Sequence, residues 1–218
     1  MSAKFIANYF NLIFAYFVLS LVVMTQLYPS AFEMIVFWGI FLFGIAISYV
    51  IEGRGARQSK KAQKATGDKN TSLVLNISTF FSLVVAMLLG YARIAALPSL
   101  LFYPGLATYL FGVAYASWAA ISLGRFYAPT VQVQFDHRVI DKGPYRFIRH
   151  PRYAGGLLAF LGLGLALQSW AAVLTLLILI GLGYVYRIRV EEKFLIAQLG
   201  NDYIEYYKRT KRIIPFIL

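Results

Sequence analysis

Two polar stretches hold the side chains of this sequence that could do chemistry. GPYRFIRHPRYAG, residues 143 to 155, gathers Arg146, Arg149, His150 and Arg152 around Pro151, and YRIRVEEKFL, residues 186 to 195, carries Arg187, Glu191 and Glu192. A residue before proline is held extended, and proline suits the first turn of a helix, so a helix is expected to start at Pro151 with free backbone N–H groups. Such a helix start suits an anionic group of a ligand. Arg187 precedes Glu191 by four residues and shares its helical face. A guanidinium there can hold a carboxylate or phosphate, and Glu191, Glu192 or His150 could take a proton. Plainer roles compete: arginines at a membrane boundary reach lipid headgroups, Arg187 and Glu191 form an intrahelical ion pair, and Glu192 faces elsewhere into solvent.

The elements that must position these groups are membrane helices. Of 218 residues 60% are hydrophobic, 17% aromatic and only 14% charged, well outside the soluble range. With no cysteine and two histidines, disulfides, thiolate sites and a metal centre are not implied. The net charge of +12 calls for topology rather than nucleic acid, since most of the surface faces lipid. Apolar runs at 5 to 27, 31 to 51, 72 to 97 and 99 to 123 each match the roughly 20 residues that cross a bilayer. The polar segment 52 to 70 reads as a solvated loop, and Leu97-Pro98-Ser99 as a tight connection. A last apolar region, 153 to 186, is long for one span, and Gln168-Ser169-Trp170 interrupts it. Folded there as a hairpin, it puts all but one of the 21 Lys/Arg on one side, the exception being Arg93. The expectation is an all-α, multi-pass bundle of about six membrane helices with both termini cytoplasmic. It divides into an N-terminal four-helix region, 1 to 123, and a C-terminal region, 124 to 218, that carries the site. The aromatic and basic tail, LGNDYIEYYKRTKRIIPFIL, suits an amphipathic element on the headgroups. No strand leads into a G-x-G-x-x-G and no P-loop occurs, which disfavours a Rossmann-type nucleotide site.

HRVIDKGPYRFIRHPRYAG, followed after a hairpin-length gap by RIRVEEKFLIAQLGNDYIEYYKRTKRIIP, resembles the isoprenylcysteine carboxyl methyltransferase family of integral-membrane enzymes, to which phospholipid and small-thiol methyltransferases are related. The match covers roughly residues 132 to 215. The resemblance implies an S-adenosylmethionine site facing the cytoplasm and a lipophilic acceptor entering from the bilayer among membrane lipids. It assigns His137, Val139, Ile140, Tyr145, His150, Pro151, Tyr153 and Glu191 to the cofactor, and Arg187 to the acceptor. An upstream glutamine of the family corresponds to Gln132 or Gln134. Methyl transfer needs donor and acceptor held in line rather than a covalent intermediate. A carboxylate acceptor is already ionised near neutral pH and needs only a partner such as Arg187, whereas an amine or thiol must lose a proton. A reductase of the sterol-reductase type using NADPH and a non-catalytic lipid-binding scaffold are the competing readings.

Overall fold

The computed structural model describes residues 30–68 and 70–213. The apolar run at 5 to 27 lies outside them. The first described helix, α1, spans Ala31–Ala62, and at 32 residues it is about 48 Å long, far beyond one bilayer crossing. The solvated loop expected at 52 to 70 is therefore corrected. Its Ala, Arg, Gln and Lys are good helix formers and continue α1 to Ala62. The chain then enters a short strand, β1 (Gln63–Thr66), which pairs antiparallel with β2 (Gln132–Gln134). Gly67 N–H donates to Val131 O at 2.9 Å and extends this ribbon. Tyr127 packs against Gly55, where a Cβ would clash with the ring.

Helix α2 covers Thr71–Tyr91, stopping six residues before the expected end. The turn that follows is longer than Leu97-Pro98-Ser99 alone, with Arg93 and Ala95 at positive φ. Helix α3 covers Phe102–Leu123, and α4 covers Pro151–Ala166. Helix α5 runs from Trp170 to Leu199, thirteen residues past the expected boundary at 186. The expected hairpin is present: α4 and α5 pack together around a turn in which Gln168 is left-handed (φ 55°) and the Ser169 hydroxyl caps α5 by accepting from Ala172 N. Among the described residues, four helices are long and apolar enough to cross a membrane: Ala31–Gly55, Thr71–Tyr91, Ser99–Phe126 and Trp170–Leu199. With 16 residues α4 reaches only about 24 Å, short of a full crossing.

Two turns lock one end of the bundle. Leu97 N donates to Gln168 O (2.8 Å), Trp170 N to Ala95 O (2.9 Å) and Ser169 Oγ to Ile94 O (2.6 Å), so the α2–α3 and α4–α5 turns are clipped together. The core between them is apolar and aromatic, with Phe37, Met87, Phe102, Leu163, Leu176 and Ile180 fully buried. Helices α3 and α4 meet backbone to backbone: a Cβ on Gly155 would lie 2.6 Å from Ala116 N, and one on Gly105 would lie 2.5 Å from Ala166 N. Only glycine permits that approach. The other end of the bundle is where α2 and α4 begin and where α3 and α5 end. There the polar segment 124–150 and a short helix, α6 (Asn201–Arg209), come together.

Candidate active site

The start of α4 is held from outside by the chain terminus. His150 N donates to Arg212 O (3.0 Å), Arg149 N to Lys211 O (2.7 Å) and Lys211 N to Phe147 O (3.2 Å), a parallel bridge that fixes residues 147–150. Tyr206 of α6 adds a hydroxyl donated to Tyr145 O at 2.8 Å. The helix expected to be interfacial turns its aromatic face inward. It buries Tyr203 and Tyr206 against the loop, because the sharp break at Gly200 (φ 60°) folds α6 back from α5. A tyrosine pair at i, i+3 in a polar stretch is the pattern that could have disclosed this face.

Glu192 is corrected most sharply. Its side chain is 6% exposed, and its Oε1 accepts from Arg149 Nε at 3.0 Å and lies 3.2 Å from His150 Nε2. Its Oε2 accepts from Arg212 Nη2 at 2.9 Å. Arg149 also donates to the carbonyls of Tyr207 (2.8 Å) and Thr210, and its guanidinium stacks 3.9 Å over the Tyr207 ring. Arg149 therefore does not reach for headgroups; it anchors the tail. Arg152 pairs with Glu52 of α1, and Arg146 stays exposed beside Phe147. Two guanidiniums and an imidazole around one carboxylate are the partners that a buried charge requires.

The second carboxylate forms a different unit. Tyr153 OH donates to Glu191 Oε2 at 2.8 Å and accepts from Arg187 Nε at 2.9 Å. Arg187 and Glu191 share a helical face as expected, and Tyr153 links them in place of a direct ion pair. Arg187 also donates from Nη1 to Ser72 Oγ at 3.0 Å and from Nη2 to Pro129 O, with Asp68 Oδ1 4.0 Å from Nη1. Ser72, Asp68 and Pro129 carry no motif that marks them in the sequence. The turn from β1 into α2 and the loop before β2 supply them.

Beside these units lies an open cleft whose lining mixes apolar, aromatic and charged side chains. His137, Val139, Ile140, Tyr145, His150, Tyr153 and Glu191 line it together. Pro151 and Arg187 stand behind that lining, Pro151 buried in the first turn of α4 and Arg187 reached through Tyr153. Burial against Phe126, ring centroid 4.9 Å away, pushes the His137 pKa down from its ordinary value. Burial likewise keeps the Tyr145 and Tyr203 phenols neutral by raising theirs. The two candidate glutamines now separate. Gln134 is buried and donates from Nε2 to Arg125 O at 2.7 Å. Gln132 lines the cleft; Thr130 Oγ1 donates to its Oε1 (3.1 Å), but its buried Nε2 has no protein partner. An orphaned amide donor in a cleft is what a ligand acceptor would satisfy.

The comparisons with known proteins agree with this arrangement. A family model described as phospholipid methyltransferase matches residues 100–202. A probable protein-S-isoprenylcysteine O-methyltransferase of Oryza sativa subsp. indica is 27% identical over 154 residues, covering 67% of this chain and 81% of that protein. A methanethiol S-methyltransferase of Bradyrhizobium diazoefficiens is 29% identical over 130 residues, covering 52% of this chain and 44% of its own length. The solved structure of a eukaryotic intramembrane Ras methyltransferase, isoprenylcysteine carboxyl methyltransferase, has the same fold at a TM-score of 0.59 and 18% identity, over 98% of this chain and 86% of that one. The spans, the joined C-terminal segments and these matches describe an integral-membrane methyltransferase that is similar over residues 100–202 to the phospholipid methyltransferases, is similar over two thirds of its length to an isoprenylcysteine O-methyltransferase, and has the fold of the intramembrane Ras methyltransferase.

Proposed function

We propose that the enzyme transfers a methyl group from S-adenosylmethionine to the carboxylate of a lipophilic acceptor delivered from the bilayer, the reaction named for its plant relative, with the cleft on the cytoplasmic side. The observation that carries this reading is the Arg187–Tyr153–Glu191 chain of hydrogen bonds standing at the wall of the cleft. When bound, S-adenosylmethionine supplies a methyl group on a sulfonium, an electrophile that requires no covalent enzyme intermediate.

The residues present fit that group. Gln132 Nε2 offers an unpaired donor, the start of α4 offers free backbone N–H groups for a carboxylate, and Glu191 offers a carboxylate for a cation or hydroxyl. Val139 and Ile140 supply apolar wall. Contact of His150 Nε2 with Glu192 favours the tautomer that donates to that carboxylate and leaves Nδ1 as the free acceptor of the ring. Arg187 has five N–H groups, of which Tyr153, Ser72 and Pro129 take three, so two remain for an acceptor carboxylate. An ionised carboxylate needs no base, and its charge is lost as the methyl is taken up, which a closed, water-poor site favours.

One observation supports a second acceptor class. Asp68 beside Arg187 and the unshared Oε1 of Glu191 place acids where an amine or thiol would have to lose a proton, and the thiol-methylating relative and the phospholipid methyltransferase model point the same way.

The test is calorimetric binding of S-adenosylmethionine to the detergent-purified protein, then labelled-methyl transfer to S-farnesylcysteine, methanethiol and phosphatidylethanolamine. Saturable binding that His150→Ala and Gln132→Ala weaken, with turnover on S-farnesylcysteine, is the expected result. No binding to folded wild type refutes the cofactor, and turnover only on the thiol or the amine transfers the assignment to the second class.

A further inference from the structure

Helix α5 carries its catalytic-side residues on one face, Arg187, Glu191 and Leu195 at four-residue spacing, and two steps along a helix turn about 200° to the opposite one. That opposite face is a lipid-facing stripe. Leu174 (55% exposed), Ile178 (56%) and Leu182 (64%) recur every four residues, and Tyr186 continues them. The next positions on the stripe are Arg189 and Lys193, both exposed. Among the described residues neither makes an ion pair, hydrogen bond or ring contact, whereas Arg149, Arg152, Arg187, Arg209 and Arg212 all pair with acids or lie beside one. The two acids nearest in sequence are already held elsewhere, Glu191 at the cleft by Tyr153 and Glu192 in the buried clasp with Arg149, His150 and Arg212.

The two cations border a groove rather than a bare helix surface. Tyr186, Phe194 and Ala197 line it together with Gly67, which sits on Phe194 so closely that a Cβ there would clash with the ring. It is a pocket at the foot of an apolar stripe, with an aromatic wall and two unneutralised cations one turn apart. Acyl chains lie along the stripe, and the headgroup level falls where the hydrophobic residues give way to Arg189. We propose that this groove binds the phosphodiester of an anionic phospholipid, Arg189 and Lys193 taking its charge while the chains lie against Ile178, Leu182 and Tyr186. The occupant is a bilayer lipid because the cations extend a lipid-facing stripe and, among the described residues, no acid lines the groove. Gly67 ends the β1 ribbon whose partner strand carries Gln132 into the cleft, so a lipid held here also braces the back of the cofactor wall.

The experiment uses the full chain in nanodiscs of phosphatidylcholine containing a minor share of phosphatidylglycerol, with retained lipid read by native mass spectrometry and unfolding read by fluorescence. Wild type is expected to keep phosphatidylglycerol over phosphatidylcholine. Each cation near a membrane surface contributes about fivefold, so R189Q/K193Q should lose that preference by roughly thirtyfold. R189K should retain it, and K142Q/K208Q, with the same change of charge at exposed positions elsewhere, should behave as wild type. Equal retention of both lipids by wild type, or equal loss in the two double variants, overturns the site. Because the readout is lipid retention, the outcome does not depend on which cofactor or acceptor the cleft takes.

Discussion

Tyr153 is the residue through which the charged groups of the cleft communicate, and it does so with a single hydroxyl. Tyr153→Phe removes a donor to Glu191 and an acceptor for Arg187 while keeping the ring against His150 and Tyr184. Hydrogen bonds to charged groups contribute about 1.5–3 kcal/mol, so Tyr153→Phe should lower the melting temperature and, by releasing Arg187 and Glu191 from their shared partner, slow turnover roughly tenfold to a hundredfold. Steady-state methyl transfer beside thermal unfolding checks this. Glu192→Ala should act chiefly on stability, leaving Arg149 buried without its carboxylate and costing about 3–5 kcal/mol, read as a lowered melting temperature. His137 gives a pH signature. Its folded pKa lies below the unfolded value of about 6.5, so the unfolded chain binds the extra proton first. Its contribution to stability is complete above that pH and declines beneath it, and His137→Phe should flatten acid unfolding in that window. That Tyr145, His150 and Tyr153 share one wall was legible because GPYRFIRHPRYAG is local, whereas Glu191, 38 residues from Tyr153, was reached through the resemblance. Glu192 was not, since its partners lie 43, 42 and 20 residues away and periodicity alone assigns it a face but no neighbour.

At the scale of elements, the bundle depends on how closely α3 and α4 approach. Gly155→Leu would force its side chain into the Ala116 backbone; overpacking of this kind costs about 1–3 kcal/mol and here also shifts the start of α4, where His150 and Tyr153 stand. A lowered melting temperature with weakened S-adenosylmethionine binding is the expected pair of results. Calorimetry and thermal unfolding on the same sample measure both. The spans were readable because hydropathy adds up locally, and Ser169 and Pro151 mark two helix starts by their own chemistry. The extension of α1 past residue 51 was not. Its sequence suits both a solvated loop and a helix, and the choice rests on packing beside Tyr127 and on a ribbon with residues 132 to 134.

For the whole molecule, the clipped turns near Arg93 and the gathered polar segments occupy opposite ends of the bundle. The chain has no cysteine, so single cysteines are clean topology probes. With the cytoplasmic assignment, an impermeant maleimide should label Arg93→Cys in right-side-out vesicles and Lys208→Cys only in inverted ones; the opposite pattern would reverse the orientation. Composition, hydropathy and charge distribution by themselves determined that this is a multi-helix membrane protein with a C-terminal hairpin, because transfer from water to lipid is a sum over residues in sequence. They also marked one proline-started helix as the place for chemistry. Only the tertiary structure decided that α6 folds over the cleft, that Glu192 is a buried clasp, that Tyr153 joins Arg187 to Glu191, and that Gln132 rather than Gln134 offers a free amide. Each of these joins residues far apart in the chain, and burying a charge or a donor is tolerable only where packing brings its partner, which no local pattern specifies.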